Sequence, residues 1–355
     1  MYSERQLTTS WELKERAALL ASRGLEEPGR ERYILGLYDD DERLVATGSL
    51  VGNTLQGIAV DIRHDGEGLI SQLVSSLMAH AAQTGPLQDL RIFTKADMAS
   101  RFASLGYHMV ANTGRVALLE WESLFPRRLK QLAELAASLP AAGVSGAIVM
   151  NANPFTKGHE WLVRQALDRC DRLFVLVVEE DCSLFPFADR FALVREGVAA
   201  LPAGQAERAV VMPGGPYCIS SATFPSYFTR QQDRVAVHAE LDLDLFARQA
   251  AALGVTRRFA GTEPYCPATS AYNETMQRVL PPHGIEVVLL PRLEQDGQAI
   301  SASRVRSLLE EGRFEEAGQL LPPATRAHCL DVARRLHPHQ DCSKTGGDCA
   351  PQSRN

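Results

Sequence analysis

A polar loop of nine residues, Asn151 to His159, contains side chains that could act on a nucleotide phosphate. It reads Asn-Ala-Asn-Pro-Phe-Thr-Lys-Gly-His. Gly158 has no side chain to block an anion, the His159 ring can donate a hydrogen bond to an oxygen that gains charge in a transition state, and Thr156 can hold the other side of the phosphate. The loop therefore predicts attack at a nucleotide α-phosphate. Four preceding residues are predicted to contact the nucleotide: Asn151, Asn153, Pro154 and Phe155.

The elements around this loop support that interpretation. The apolar run 146–150 is short enough for a buried parallel strand, and 158–169 has apolar residues at helical spacing. Such a junction presents the free N–H groups and the positive dipole end of a helix to a ligand, which favours an anion. The alternative is that Pro154, Gly158 and His159 only shape a turn before a helix.

A second loop-to-helix segment, Ile300 to Arg306, reads Ile-Ser-Ala-Ser-Arg-Val-Arg and precedes a helix that ends at Gly312. Hydroxyls at Ser301 and Ser303 suit phosphate oxygens at a helix N-terminus, and Arg306 supplies a permanent, forked cation for the β- and γ-phosphates. An ordinary Ser-capped surface helix is the alternative interpretation.

Two segments between these loops provide further candidates. The run 179–190 leads into a helix through Asp189 and Arg190; Arg190 either positions the nucleotide or only fixes the loop. The run 261–267 follows a strand and breaks sharply, so that its backbone could contact adenine or ribose, although a plain turn explains it equally. Its candidate residues are Gly261, Thr262 and Glu263.

Composition limits the classes of function. With 355 residues, 45% of them hydrophobic and 23% charged, the chain can form two cores. A net charge of −6 argues against a dedicated binder of nucleic acid or anionic membranes, which needs dense basic surface. No apolar stretch is long enough to span a bilayer, and seven cysteines occur without a Cys-x-x-Cys pair, so we expect a cytoplasmic protein without a metal site.

The pattern of elements predicts an α/β protein with two domains. Strands alternate with helices in the second half, among them a predicted helix around 243–253 and a predicted strand over 285–290. This alternation is typical of a Rossmann-like, doubly wound parallel sheet with ligands at the carboxyl ends of its strands. The first half has the strand and helix order of an α+β domain, with strands predicted over 33–38, 44–51 and 54–60. The predicted boundaries are 1–125 for the first domain, 126–145 for a helical linker, 146–338 for the second domain and 339–355 for a disordered tail.

The first domain has its own candidate anion site. Arg63, Gly66 and Gly68 stand in the run Arg-His-Asp-Gly-Glu-Gly before an apolar-periodic helix over 69–82. The glycines let backbone N–H groups turn inward and hold a diphosphate. The run, with the strand 90–93 and the segments 100–105 and 106–110 that follow, resembles the coenzyme A loop and closing elements of the GNAT acyltransferases. A glycine pair before a helix is also consistent with a plain turn, and the fold alone does not confer the activity.

The two phosphate motifs resemble the adenylyl- and cytidylyltransferase superfamily named for its His-x-Gly-His signature, with Thr156 in place of the first histidine. The 300–306 segment is similar to the second signature of that group, Ile-Ser-Ser-Thr-x-x-Arg, except that Ala302 removes one hydroxyl and Ser303 replaces Thr. Together with the long segments 179–190 and 261–276, they resemble the [citrate (pro-3S)-lyase] ligase family over roughly residues 5–335.

That resemblance implies a function that composition alone would not give. It implies use of ATP, with Mg²⁺ on its phosphates, to convert acetate to acetyl-AMP with release of pyrophosphate. The acetyl group would then acetylate a coenzyme-A-like thiol on the citrate lyase acyl carrier protein. The catalytic residues would be His159, Thr156 and Arg306, and the glycine loop of the first domain could hold the carrier arm.

Other functions stay open at this point. The chain could be a small-molecule adenylyltransferase, a GNAT-type acetyltransferase with a nucleotide-sensing domain, or a carrier-binding protein without turnover. Five residues could line an acyl pocket, although loop packing explains them as well: Tyr217, Ser220, Thr223, Tyr227 and Phe228.

Overall fold

The computed structural model describes five stretches of the chain: residues 2–27, 33–179, 183–218, 234–263 and 266–336. Four of the acyl-pocket candidates and the predicted tail therefore lie outside the described residues. The chain divides into two compact units, the first from 1–140, 219–254 and 266–284, and the second from 141–218, 255–265 and the chain from Ile285 onward. The predicted domain boundaries stay a prediction, because spatial compactness does not by itself define where a domain folds.

A seven-stranded sheet forms the centre of the first unit, in the order β1-β2-β3-β4-β5-β7-β6. Neighbouring strands are antiparallel except β4 and β5, which are parallel. Numbered in chain order, the strands are β1 (Ser3–Gln6), β2 (Tyr33–Tyr38), β3 (Leu44–Val51), β4 (Thr54–Val60), β5 (Arg91–Lys95), β6 (His108–Asn112) and β7 (Val116–Glu120).

Helices cover this sheet and bury its apolar side chains. Leu69, Leu73 and Leu77 recur every four residues along α2 and are buried with strand residues such as Leu55 and Leu119, as expected for an amphipathic helix on a sheet. The helices of this unit are α1 (Ser10–Ser22), α2 (Leu69–Thr84), α3 (Ala99–Ala103), α4 (Leu124–Ser138), α8 (Arg234–Leu253) and α9 (Pro267–Val279), with single turns at Ile62–His64, Leu87–Asp89, Ala96–Met98 and Pro281–His283.

The second unit contains a parallel five-stranded sheet in the order β10-β9-β8-β11-β12, which confirms the predicted doubly wound architecture. Its strands are β8 (Ser145–Met150), β9 (Arg172–Val177), β10 (Ala209–Pro213), β11 (Arg257–Gly261) and β12 (Glu286–Leu290), with a small hairpin of β13 (Glu294–Gln295) and β14 (Gln298–Ala299). The helices are α5 (Lys157–Leu167), α6 (Phe187–Ala199), α7 (Ala203–Ala206), α10 (Ala302–Glu310), α11 (Phe314–Gln319) and α12 (Pro323–Leu336).

The strand order creates a crevice at one edge of this sheet. From β8 the chain continues to β9 and β10 on one side, whereas β11 and β12 lie on the other side. A ligand crevice forms where strand order reverses in this way, outside the carboxyl ends of the strands. Buried Ile148, Val175 and Phe259 hold β8, β9 and β11 in one core, so the loops that follow β8 and β11 face each other across the crevice. As for membrane association, none of the helices described is both long and apolar enough to cross a bilayer.

The close packing of α6 on the loop after β8 gives a stability prediction. A Cβ atom added at Gly197 would lie 2.3 Å from the ring of Phe155, which is fully buried in the core. We expect Gly197→Ala to lower the free energy of unfolding by about 1–3 kcal/mol through overpacking, despite a gain of about 1 kcal/mol in helix propensity. Urea denaturation measures the effect.

Gly204→Ala is the matched control, because Gly204 is also helical and an added Cβ there meets no described atom within 4 Å. It should leave stability unchanged or slightly raised. Equal stability of the two variants would contradict the packing argument.

Candidate active site and carrier-arm site

The loop after β8 ends in a hydrogen-bonded cap that joins Thr156 to His159. The Thr156 hydroxyl accepts from the His159 backbone N–H at 3.4 Å, and the His159 Nδ1 atom accepts from the Thr156 N–H at 3.0 Å. This is a capping box in which histidine takes the place of the usual Glu or Gln. Thr156, the cap residue before helix α5, therefore also fixes the ring of the histidine.

The cap decides which nitrogen of His159 carries the proton. Because Nδ1 accepts a hydrogen bond, the neutral ring carries its proton on Nε2. Burial and, to a smaller extent, the positive charge of Arg292 together lower the pKa of His159 to about 4. The ring also lies nearly parallel to Phe155, with the centroids 5.7 Å apart. At neutral pH His159 is thus a fixed, uncharged Nε2–H donor, which is suited to an oxygen that gains negative charge.

Gly158 brings the two phosphate motifs into contact. A Cβ atom at this position would lie 2.7 Å from the carbonyl oxygen of Ile300. Backbone cannot give way as a flexible side chain can, so only glycine permits this approach. The predicted role of Gly158, to leave room for a phosphate, stays a prediction, and the contact with Ile300 is a second reason for glycine here.

The second motif begins α10 and bonds to the first. Ser301 caps the helix, its hydroxyl accepting from the Arg304 N–H at 3.2 Å. The Arg306 guanidinium donates to the carbonyl oxygen of Asn153 at 2.6 Å and to the hydroxyl of exposed Ser303 at 3.1 Å. Partial burial lowers the pKa of Arg306, but a guanidinium keeps its charge. The segment with Ser301, Ser303 and Arg306 therefore lies in contact with the loop that carries His159; their action on one ligand stays a prediction.

Arg190 fixes the loops instead of facing the crevice. It is fully buried, and its Nη1 group donates to the carbonyl and side-chain oxygens of Asn151 at 2.8 and 2.7 Å and to the Val178 carbonyl at 2.8 Å. Its Nε group donates to the Phe185 carbonyl at 3.0 Å, and the Asn153 side chain accepts from the Phe185 N–H at 3.0 Å. These bonds favour the alternative in which Arg190 holds the loop that carries the site.

The crevice wall opposite α5 contains a residue that sequence reasoning missed. Arg292 donates from Nε to the Thr262 carbonyl at 2.8 Å and forms an ion pair with Glu263. The Thr262 N–H bonds to Leu290 at 2.8 Å, which fixes the end of β11 on β12. These bonds place Gly261, Thr262 and Glu263 at the carboxyl edge of the sheet, and their contact with adenine or ribose stays a prediction. No motif flagged Arg292; its only signal was its position two residues after a predicted strand.

The glycine loop of the first unit lines a separate cavity. Gly66 and Gly68 have φ angles of +91° and +79°, a region that favours glycine, and Gly68 caps α2. They line a cavity of about 260 Å³. A second cavity of about 340 Å³ lies where β4 and β5 separate, since these strands pair only at Thr54 with Arg91 and at Leu55 with Ile92.

Arg63 supports this loop through an acidic neighbour. Its guanidinium binds both oxygens of Asp61, at 3.1 and 2.7 Å, and these hydrogen bonds lower the pKa of Asp61 to about 2. The side chain of Asp61 in turn accepts from the Arg63 N–H at 3.0 Å. Arg63 thus fixes the start of the loop, and contact with a ligand phosphate stays a prediction for it.

These features define the class of each unit. A doubly wound parallel sheet, with a Thr-x-Gly-His loop at its switch point and a Ser-x-Ser-x-x-Arg helix beside it, is a nucleotidyltransferase-like domain. The mixed sheet with separating parallel strands and a glycine loop before α2 is a GNAT-like domain.

The chain belongs to the citrate lyase ligase family. The citrate lyase ligase C-terminal domain family matches residues 145–329. The chain is 41% identical to a [citrate [pro-3S]-lyase] ligase of Klebsiella pneumoniae, over 86% of this chain and 89% of that protein. It is 38% identical to the protein of the same name from Escherichia coli strain K12, over 85% and 86%. Among solved structures, glucosamine-6-phosphate N-acetyltransferase from Arabidopsis thaliana matches at 18% identity over 32% of this chain and 93% of its own, with a TM-score of 0.27.

The cap geometry predicts that His159 does not titrate near neutral pH. Its pKa is lowered from 6.5 to about 4, so the ring should keep its Nε2 proton and stay neutral between pH 5.5 and 8. Because the unfolded chain binds this proton from about pH 6.5 downward and the folded chain only near pH 4, His159 should reduce stability progressively as the pH falls through that window.

NMR of ¹⁵N-histidine-labelled protein, with His159→Gln to assign the signal, measures both the pKa and the tautomer. A midpoint near 6.5, or a proton on Nδ1, would contradict the structure's account of the cap.

Proposed function

We propose that this chain is an ATP-dependent acid–thiol ligase. It converts acetate to acetyl-AMP with release of pyrophosphate, and it then acetylates the prosthetic thiol of the citrate lyase acyl carrier protein, which activates citrate lyase. The observation that carries the proposal is the neutral Nε2–H donor of His159, fixed by Thr156 at the switch point, on a loop that Arg306 contacts through the carbonyl oxygen of Asn153. The names of the relatives agree with it.

Acetate needs activation because its direct reaction with a thiol would expel oxide. In the first step a carboxylate oxygen attacks the α-phosphorus of ATP, the bond from that phosphorus to the bridging oxygen breaks, and pyrophosphate leaves with the electron pair. Negative charge grows on the α-phosphate oxygens and on the leaving group during this step. A donor or cation that meets this charge only in the transition state raises the rate.

Different residues of the site stabilise the negative charge on different phosphates. His159 donates from Nε2 to an α-phosphate oxygen, and Thr156, which is 1% exposed and bonded to His159, orients it. Arg306, Ser301 and Ser303 receive the β- and γ-phosphates at the start of α10. The loops that begin at Asn151 and Gly261 bind the rest of the nucleotide, with Arg190 holding the first loop in place.

Mg²⁺ arrives with the triphosphate in this proposal. In the part of the chain that the structure describes, no group of three or more His, Cys, Asp or Glu could hold a metal ion. A phosphate-bound Mg²⁺ needs few protein ligands because it keeps several waters. The ion neutralises phosphate charge, while the residues named above orient the nucleotide.

In the second step the carrier thiolate, having lost its proton to solvent, attacks the carbonyl carbon of acetyl-AMP. The carbon–oxygen bond to the phosphate breaks and AMP leaves with the electron pair. The coenzyme-A-like arm of the carrier binds the first unit, its diphosphate on the N–H groups beside Gly66 and Gly68. The cavity between β4 and β5 receives the chain that extends from the diphosphate.

Isotope exchange tests the first step. Labelled pyrophosphate should appear in ATP only when Mg²⁺, ATP and acetate are all present. His159→Ala should lower this exchange by about 10²–10³, the usual loss for one positioned donor. His283→Ala is the control, since His283 lies on a single turn of the other unit, and it should exchange at the wild-type rate.

Exchange that proceeds without acetate, but with a nucleotide monophosphate or phosphopantetheine, would replace the ligase by a small-molecule adenylyltransferase. Transfer from acetyl-CoA without ATP would favour an acetyltransferase instead. If the protein shows no exchange and also releases no AMP in the presence of the carrier, the ligase proposal is overturned.

The carrier-arm site gives a separate prediction for the first unit. Gly66→Asp with Gly68→Asp places two negative charges where the diphosphate would bind, so carrier affinity should fall at least tenfold, while acetate-dependent exchange stays unchanged. Gly52→Asp is the matched control, because Gly52 also has a positive φ, of +57°, in the same unit. Surface plasmon resonance with immobilised carrier, after circular dichroism shows the variants folded, measures the affinity. Equal affinity of all three proteins would contradict the assignment.

A further inference from the structure

Arg292 is held as a fixed cation at the carboxyl edge of the second sheet. It lies two residues beyond β12, and two bonds tie it to the end of β11: Nε to the Thr262 carbonyl at 2.8 Å, and Nη2 to the carboxylate of Glu263. The Glu263 side chain is only 7% exposed and that of Arg292 27%. A guanidinium held in this way has lost most of its rotamer freedom before any ligand binds.

The hairpin after β12 places Arg292 beside the second phosphate motif. Glu294 pairs with Ala299, and the Ile300 N–H donates to the Leu293 carbonyl at 2.9 Å. This register, continued by one residue, puts Arg292 opposite Ser301, the cap of α10. Asp296 and Gly297 form the turn with positive φ angles of +57° and +73°, as a tight hairpin requires.

The same hairpin connects Arg292 to the first motif. The carbonyl of Ile300 lies where a side chain at Gly158 would be, so the start of α5 packs directly on this segment. The charge of Arg292 in turn lowers the pKa of His159. Arg292 is therefore near the N-termini of both α5 and α10, the two helix ends that receive the triphosphate.

We propose that Arg292 is a further catalytic residue, which binds the α-phosphate of ATP together with His159 and is positioned by Glu263. Nε and Nη2 are used by the protein, whereas Nη1 has no hydrogen-bond acceptor among the described residues and can donate to a phosphate oxygen. The inference rests on the proposed function and names one more group of that site.

The chemistry of the first step needs such a cation. A carboxylate must approach a phosphate that is itself negative, and the neutral ring of His159 supplies a hydrogen bond but no charge. Arg306 is directed to the β- and γ-phosphates in the proposed binding mode. A permanent charge at the α-phosphate reduces the repulsion between the two anions and stabilises the transition state.

Four variants test the assignment through two measurements, acetate-dependent pyrophosphate exchange and the pKa of His159 by NMR. Arg292→Gln should lower kcat for exchange by about 10²–10³, with a smaller change in KM for ATP, and should raise the pKa of His159. Arg292→Lys keeps the charge but loses the fork, so it should restore the pKa and part of the rate.

Glu263→Gln should keep the cation but loosen its position, lowering kcat by about tenfold. Arg313→Gln is the matched control, because Arg313 forms ion pairs with Glu311 and Glu316 on the surface of the same unit; it should change neither measurement.

Exchange at the wild-type rate in Arg292→Gln would overturn the inference, whatever the titration shows. If wild-type protein shows no acetate-dependent exchange, the proposed function fails, and the affinity for ATP replaces the rate as the test of Arg292. Weaker ATP binding with a raised pKa of His159 then supports the inference, and an unchanged affinity overturns it.

Discussion

The geometry of the candidate site depends on the buried guanidinium of Arg190. A charge in a protein interior is costly unless every donor is satisfied. Arg190 satisfies its donors with oxygens of the loop after β8, the loop after β9 and the turn into α6, through Asn151, Val178 and Phe185. Since the cost returns if any of these loops moves away, they are held in one arrangement. Ala152 accepts a φ of +48° within it, a strain that a less constrained loop would release.

In the site that this fixed loop carries, the directed hydrogen bond and the positive charges come from different residues. The ring of His159 is kept neutral by burial and by a nearby arginine, so it contributes direction without charge. The charges come from guanidinium groups, which do not titrate at working pH. A site built this way has the same protonation state across the physiological range, and its activity depends on how precisely its donors are positioned.

Much of the fold could be predicted, and the misses have physical causes. The strands 33–38, 44–51 and 54–60 were predicted with their observed bounds because each is an apolar run closed by turn residues. The strand Ser3–Gln6 was missed because it is a polar edge strand, exposed throughout. Val116–Glu120 was missed because all its residues are buried, so its sequence lacks the alternation of apolar and polar residues that identifies a half-buried strand.

Helix α8 begins at Arg234, nine residues before its predicted start at Leu243, and it packs on α4 of the first unit. Local periodicity does not tell which sheet a helix covers.

Local sequence patterns also predict only part of the candidate site. Residue types and spacing indicated Thr156, His159, Ser301 and Arg306, because helix starts with these side chains have a recognisable order along the chain. The contact of Gly158 with Ile300 and the bonds from Arg292 to the end of β11 join residues that are far apart in sequence or carry no motif, so only the fold reveals them. Thr156 was indicated by the sequence, and the structure adds a second role for it. Its hydroxyl and N–H cap α5 and hold His159 at once, and a capping side chain is therefore what this position requires where the superfamily signature has histidine.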